Sequence, residues 1–253
     1  MTERGFPETE FQERVTKAQA RMATSGLQAL LLTTEPEIRY YTGFLTRFWE
    51  SPTRPWFVVL PAKGAPIAVI PSIGAHLMKH TWLTDIRTWV APDYTDDGIG
   101  LLADTICEVT EQDAWIGVAS HIESYVRIPL ASFQNLANLL GTRAIVSDDG
   151  ITRDLRTVKS KREINKIRHA IRIAERAFDR VPNLATAGVP LSQVFREFQA
   201  VCLDEGADWV PYLAGAAEAD GYGDVISPAD DTALAAGDVL MLDTGLVWDG
   251  YFC

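Results

Sequence analysis

The stretch GDVLMLDTGLVWDGYFC, from Gly237 to Cys253, decides how this part of the chain folds. Its apolar run from Val239 to Leu242 predicts a strand that is buried on both faces, and Asp243 follows directly in that strand. Burying an ionised carboxylate without a counter-charge costs several kcal/mol. We therefore expect Asp243 to meet a cation, an arginine or a set of backbone N–H groups, with a metal ion as the leading hypothesis.

The Asp-Gly pair at 249–250 predicts a two-residue hairpin turn. Aspartate and glycine both tolerate the positive φ angles that such a turn requires, and apolar strand residues flank the pair. Pairing of Trp248 with Tyr251 then sets the register of the hairpin. In that register the residue after Cys253 shares the face of Asp243, near enough for one ion to bridge the two.

The pattern Gly-Asp-Val-x-x-x-Asp-x-Gly, followed by Asp-Gly-Tyr, resembles the first metal-binding strand and hairpin of a known superfamily. This superfamily contains the methionine aminopeptidases, the Xaa-Pro peptidases (prolidases) and the creatinases, and it has the pita-bread fold. The resemblance implies that Asp243 is the first of five ligands, two Asp, one His and two Glu, which hold two divalent ions. It also implies that the second Asp follows Cys253, so that residues 1–253 carry one ligand of the five.

Two more motifs carry the same resemblance. A helix pattern followed by Gly-Leu-x-Ala-Leu-Leu-Leu, Glu-Pro-Glu and Tyr-Tyr-Thr-Gly-Phe, within residues 11–44, is similar to the opening of the creatinase/prolidase N-terminal domain. Leu-Arg-x-x-Lys-Ser-x-x-Glu-Ile, residues 155–164, is similar to the opening of the catalytic domain. We predict a creatinase/prolidase-like N-terminal domain at residues 1–150 and the N-terminal half of an α+β pita-bread catalytic domain at residues 151–253.

Local patterns also predict the architecture of both domains. Strand and helix patterns alternate between residues 97 and 146, and a hairpin pattern lies within residues 56–70, which together predict an α/β domain with a mixed sheet. The capping box that begins at Ser160 predicts the start of a long helix. The apolar stripe expected on that helix consists of Ile164, Ile167, Ile171, Ala174, Phe178 and Val181.

The composition limits the partners of the protein. Of its 253 residues, 47% are hydrophobic and 23% are charged, which is typical of globular domains. A net charge of -11 disfavours nucleic acid and anionic membranes, because both would repel the protein. No stretch approaches the roughly 18 apolar residues of a membrane span, and the N-terminus lacks a signal-peptide pattern. We expect a cytoplasmic protein that acts on a small molecule or a short peptide.

Two segments are expected to contact the substrate. In the resembled family the region from Trp209 to Asp231 helps to form the substrate pocket, and we assign Tyr212 to it. Xaa-Pro peptidases and creatinases place a His there, whereas this segment has none, so the catalytic acid or base is left unassigned. Trp49 and Arg54 belong to an aromatic and cationic patch for which core packing is one interpretation. In creatinase-like homodimers this domain covers the partner's active site, which implies substrate contacts for both residues.

Three functions are consistent with these residues. The first is a hydrolase similar to Xaa-Pro aminopeptidases and dipeptidases, in which two divalent ions (Mn, Co, Zn or Fe) activate water for attack on a C–N bond. The second is a non-peptidase relative, such as a creatinase, an ectoine hydrolase or a dimethylsulfoniopropionate lyase. The missing His favours the last two, because creatinases place a His in this segment. The third is a truncated or non-catalytic chain that binds or dimerises. We expect the complete protein to be a homodimeric enzyme and residues 1–253 alone to be inactive and unable to hold both ions.

Overall fold

The structure is a computed structural model that describes residues 3–51 and 54–253. The described chain forms two compact units, Gly5–Val158 and Lys159–Cys253, and Glu3 and Arg4 belong with the second. Within these described ranges no helix is both long enough and apolar enough to cross a membrane.

The first unit is built on one six-stranded mixed sheet, as the alternating pattern predicted. Its strands, in the spatial order β4-β3-β2-β1-β5-β6, are β1 (Leu27–Leu32), β2 (Phe57–Pro61), β3 (Ile67–Pro71), β4 (Ile86–Trp89), β5 (Trp115–Val118) and β6 (Ala144–Ser147). The pairs β1-β2 and β2-β3 are antiparallel, and the remaining pairs are parallel. The hairpin β2-β3 therefore supplies the antiparallel part of the sheet.

Helices cover both faces of this sheet. They are α1 (Glu8–Ser25), α2 (Glu35–Thr42), α3 (Ala75–Met78), α4 (Ile99–Val109), α5 (Leu130–Leu139) and α6 (Ile151–Thr157), and short 3-10 helices span Phe48–Glu50 and Ser72–Gly74. One core lies under α1, α2 and α6 and includes Met22 and Tyr41. The other lies under α4 and α5 and includes Leu102 and Leu136. Burial on both faces explains the continuous apolar runs of β1 and β2.

The second unit consists of three helices and a three-stranded antiparallel sheet. The helices are α7 (Lys161–Phe178), α8 (Val181–Leu184) and α9 (Leu191–Asp204), and the strands are β7 (Trp209–Glu218), β8 (Val239–Trp248) and β9 (Tyr251–Phe252). Leu246 and Trp248 of β8 pack against Ile173 of α7 and Phe198 of α9. The helices therefore cover one face of the sheet.

The predicted hairpin between β8 and β9 is confirmed, including its register. Trp248 pairs with Tyr251, and Val247 pairs with Phe252. Asp249 and Gly250 have φ angles of 49° and 75°, so both turn residues adopt the left-handed conformation that a two-residue turn requires. The short sequence Asp-Gly thus determines where β8 ends and in which direction β9 returns.

The predicted apolar stripe of α7 is confirmed only in part, because Ala174 is buried and Ile167 is half-buried while other members face solvent. Ile164, Ile171 and Phe178 are 36%, 41% and 40% exposed, whereas the buried residues of the helix are Glu163, Lys166, Ala170, Ile173, Ala174 and Ala177. The reason is that the buried face of α7 meets the hairpin, which supplies polar partners for Glu163 and Lys166. Hydrophobic periodicity alone does not anticipate buried charges that are satisfied by a distant turn.

The expectation that β8 is buried on both faces is also wrong. Val239 is 49% exposed, Asp243 is exposed, and the residues between them are only partly buried. The described residues place helices α7 and α9 on one face of this strand and no layer over Asp243 on the other. An exposed carboxylate keeps its hydration, so Asp243 does not require a counter-charge in order to be stable there.

Gly215 of β7 lies where the sheet has no room for a side chain. It pairs with Leu242, and a Cβ atom at this position would lie 2.1 Å from the carbonyl oxygen of Met241 and 3.2 Å from the ring of Phe195. We expect Gly215→Ala to lower the free energy of unfolding by about 1–3 kcal/mol, because backbone must move to admit the methyl group. Urea unfolding followed by tryptophan fluorescence measures this change.

Gly223→Ala is the matched control in the same unit, because nothing lies within 4 Å of a Cβ atom built there. Its free energy of unfolding should stay within about 0.5 kcal/mol of that of the unsubstituted protein. Equal unfolding midpoints for the two alanine variants would show that the close approach at Gly215 is not a constraint on the sheet.

Candidate metal and substrate site

The candidate site lies on the face of the second sheet that the helices leave open. Successive side chains of a strand point to opposite faces, so Leu242 and Leu246 pack toward the helices while Asp243 and Gly245 lie on the other side. The backbone pairs Asp243 with Ala214, and Gly245 with Tyr212. This register brings Asp243 and Tyr212 together, as cross-strand diagonal neighbours.

Tyr212 and Asp243 are joined by a hydrogen bond. The Tyr212 hydroxyl donates to Oδ2 of Asp243 at 3.2 Å, and the hydroxyl of Thr244 donates to the Tyr212 carbonyl oxygen at 3.0 Å. Partial desolvation, the hydrogen bond to Asp243 and its negative charge raise the pKa of Tyr212 above its ordinary value. Tyr212 is therefore a neutral donor near neutral pH, and it holds the carboxylate of Asp243 from one side.

Two aromatic side chains flank a glycine next to this pair. A Cβ atom at Gly245 would lie 3.8 Å from the ring of Phe252 and 3.9 Å from Cβ of Tyr212, which is ordinary van der Waals contact. Tyr212 and Phe252 are 49% and 50% exposed, so both rings present surface to solvent. The face thus offers apolar contacts beside a carboxylate, which is a combination suited to a small organic ligand held near a cation.

The donor set for a metal ion is incomplete in the described residues. Carboxylate oxygen suits Mn, Zn and related divalent ions, and the exposed carboxylate of Asp243 fits the role of one such ligand. In residues 3–51 and 54–253, however, no three His, Cys, Asp or Glu side chains cluster in a way that could hold an ion. The described chain therefore fits one ligand of the predicted set and not a two-ion centre.

The other two predicted substrate residues, Trp49 and Arg54, lie in the first unit. Trp49 is 9% exposed and packs in the core with its ring 6.0 Å from that of Trp56. The guanidinium carbon of Arg127 lies 5.4 Å from the Trp49 ring, and Nη1 of Arg127 donates to the Arg54 carbonyl oxygen at 2.6 Å. Arg54 itself is half-buried. Packing thus accounts for the position of Trp49, and a substrate contact stays a prediction for both residues.

Sequence reasoning missed a buried polar group behind the hairpin. Lys166 is 1% exposed and forms an ion pair with the turn residue Asp249. Glu163 is 4% exposed and accepts a hydrogen bond of 2.9 Å from the hydroxyl of Tyr251. The available signal was the capping box, which identifies Glu163 and places Lys166 on the same face of the helix three residues later.

The chain thus consists of a mixed α/β unit followed by a unit of helices and an antiparallel sheet, in which β8 carries Asp243. The family model described as "Creatinase/Prolidase N-terminal domain" matches residues 14–158, and that described as "Metallopeptidase family M24" matches residues 165–253. The chain belongs to the creatinase/prolidase family, and the resemblance predicted from its motifs is confirmed.

Individual relatives agree with this assignment. The chain is 26% identical over 253 residues to the probable dipeptidase PepE of Mycobacterium tuberculosis, covering 97% of this chain and 62% of the relative. The structure of dipeptidase PepE from Mycobacterium ulcerans is 25% identical with a TM-score of 0.76, over 96% of this chain and 62% of that chain. A prolidase from Thermococcus sibiricus, 20% identical, has the same fold with a TM-score of 0.81, over 96% and 63%. The chain therefore spans less than two thirds of the length of these relatives.

The contact between Tyr212 and Asp243 predicts the titration of the tyrosine. In a ¹³Cζ-tyrosine NMR titration, the Tyr212 signal should move at a higher pH than that of an ordinary tyrosine. The Asp243→Asn variant should lower this pKa, because the amide carries no charge to oppose the phenolate. Tyr212→Phe assigns the signal, and Tyr222→Phe is the control that should leave the Tyr212 titration unchanged. An Asp243→Asn variant with the original Tyr212 midpoint would contradict the contact.

Proposed function

We propose that the complete protein is a metal-dependent dipeptidase of the creatinase/prolidase family that acts on Xaa-Pro or related dipeptides. The observation that carries this proposal is the match of residues 165–253 to the metallopeptidase family. The motif resemblance implies that Asp243 is the first metal-binding aspartate. The placement of Asp243 beside Tyr212 on an open sheet face supports it, since a ligand can reach both groups there. The dipeptidase and prolidase names of the relatives favour peptide substrates.

In this proposal each residue of the open face has its own role. Divalent ions, if bound there, would supply Lewis-acid chemistry for the attack of water on the scissile carbonyl. Asp243 would hold one ion through its carboxylate, and the Tyr212 hydroxyl would fix the orientation of that carboxylate through Oδ2. The exposed rings of Tyr212 and Phe252 would contact the side chain of the substrate.

The proposal includes a homodimer with a cytoplasmic location. It assigns Arg54 and Trp49 of one subunit to substrate contacts in the other, as the family resemblance implies. Arg54 is the better supported of the two, because its side chain is half-buried while that of Trp49 lies in the core. The guanidinium of Arg54 would pair with a carboxylate of a dipeptide, for which arginine has the matching geometry.

Metal binding tests the assignment of Asp243. The Asp243→Asn variant keeps the shape of the side chain and removes its charge, so the affinity for Mn²⁺ or Zn²⁺ should fall at least about tenfold. Calorimetric titration and elemental analysis measure affinity and stoichiometry, and residues 1–253 alone should hold fewer than two ions. The control is Asp220→Asn, an exposed aspartate of the same unit. Equal binding by both variants and the unsubstituted protein would remove Asp243 from the ligand set.

A substrate panel tests the reaction. The complete protein, supplied with Mn²⁺, Co²⁺ or Zn²⁺, should hydrolyse Xaa-Pro or other dipeptides, and a chelator should stop the reaction until metal is restored. Creatine and ectoine belong in the same panel, because their turnover in place of dipeptides would replace the proposed function with that of a non-peptidase relative. No turnover of any of these compounds by metal-loaded protein would contradict an enzymatic role.

A further inference from the structure

The turn of the β8-β9 hairpin is held by a buried ammonium group. Lys166 of α7 is 1% exposed, and its Nζ forms an ion pair with the carboxylate of Asp249. The same nitrogen donates to the carbonyl oxygen of Glu3 at 2.9 Å and lies 5.5 Å from the centre of the Trp248 ring. A lysine from a helix thus satisfies the carboxylate of a residue whose backbone is in the left-handed conformation.

A guanidinium group from the N-terminal residues reaches the same turn. Arg4 donates to both carboxylate oxygens of Asp208 at 2.9 and 2.6 Å, lies 4.0 Å from Asp249 and sits 4.8 Å over the Trp248 ring. Asp208 in turn accepts the backbone N–H of Asp249 at 2.6 Å. Burial opposes the ionisation of Asp208, but the hydrogen bonds from Arg4 and from the Asp249 N–H outweigh it and lower the pKa of that carboxyl.

These contacts have a geometric consequence for β9. That strand contains only Tyr251 and Phe252, so its ladder of hydrogen bonds to β8 is short. A slip of one residue would turn every side chain of β9 to the opposite face of the sheet. A buried pair of lysine and aspartate adds little to the free energy of unfolding, because desolvation offsets most of their attraction. In some proteins, a buried polar group instead fixes a single register.

We infer that Lys166 and Arg4 are positioning residues for the candidate metal site, which they serve by clamping the Asp249–Gly250 turn. The clamp fixes the register in which β9 pairs with β8, on the side opposite β7, and runs toward Asp243. The contacts of the turn are the evidence for the clamp. Its importance for metal binding rests on the proposed function of Asp243. The Glu163–Tyr251 hydrogen bond, at 2.9 Å, anchors the first residue of β9 to the same helix.

Hydrogen–deuterium exchange measured by mass spectrometry tests the clamp. In the Lys166→Met variant, the amides of residues 246–253 should exchange roughly tenfold faster or more, because Asp249 loses its buried partner. Peptides from β7 and α9 should keep their original rates. Arg168→Met, which removes an exposed cation from the same helix, is the control and should leave all rates unchanged. Unchanged hairpin exchange, or equal acceleration throughout the unit, would overturn the clamp.

Two more variants keep the test decisive if Lys166→Met fails to fold. Arg4 is 53% exposed as a side chain, so Arg4→Met should fold and still accelerate exchange in the hairpin. Asp249→Asn combined with Lys166→Met removes both charges, and asparagine accepts the left-handed conformation of the turn. Because the buried side chain at the turn then carries no charge, this double variant should exchange more slowly in the hairpin than Lys166→Met. Equal or faster exchange in the double variant, or no acceleration in Arg4→Met, would count against the clamp.

A second measurement, the affinity of the complete protein for Mn²⁺, tests the positioning role. Arg4→Met should weaken it severalfold at an unchanged unfolding temperature, whereas Arg168→Met should not. Faster hairpin exchange with unchanged Mn²⁺ affinity would overturn the positioning role. The Asp243→Asn variant separates the two ideas: if it too binds Mn²⁺ normally, the proposed ligand has failed, and if only Arg4→Met and Lys166→Met bind normally, the positioning role has failed.

Discussion

The turn at Asp249 and Gly250 is the constraint on which the second unit depends. Both residues adopt positive φ angles, so the chain reverses within two residues and β9 runs back along β8. This tight turn places the carboxylate of Asp249 where little solvent reaches it. Lys166 of α7 forms an ion pair with that carboxylate. The orientation of α7 follows, because burying Lys166 and Glu163 turns Ile164 and Ile171 outward.

The second sheet is buried on one face only, and Asp243 lies on its exposed face. The apolar run before the aspartate predicts burial on both faces, and burial of its charge would require a cation or another partner. The structure leaves this carboxylate exposed and bonded to Tyr212, so its stability demands no ion. The case for a metal ligand now stands on the family match and on the open face that Asp243 shares with Tyr212 and Phe252.

In the first unit, local sequence patterns predict most of the observed strands and helices. The predicted hairpin and the predicted alternation of strands and helices agree with β2, β3, β5 and β6 and with α4 and α5, whereas β4 was not predicted. The segment between residues 48 and 56 is different, because Trp49 and Arg54 lie outside regular strands. The family resemblance implies substrate contacts for both, but only packing places Trp49 in the core and Arg54 at half-burial.

The mixed α/β class, the capped start of α7, the hairpin register and the family could all be predicted from the sequence, because short local patterns and motifs carry each of them. The buried face of α7 and the exposure of Asp243 were set only by packing between distant segments. Both depend on contacts between distant segments, such as that between Lys166 and Asp249, and on how many layers pack against a sheet. Hydrophobic periodicity shows which face of a helix or strand is apolar. It does not show which other segment of the chain packs against that face.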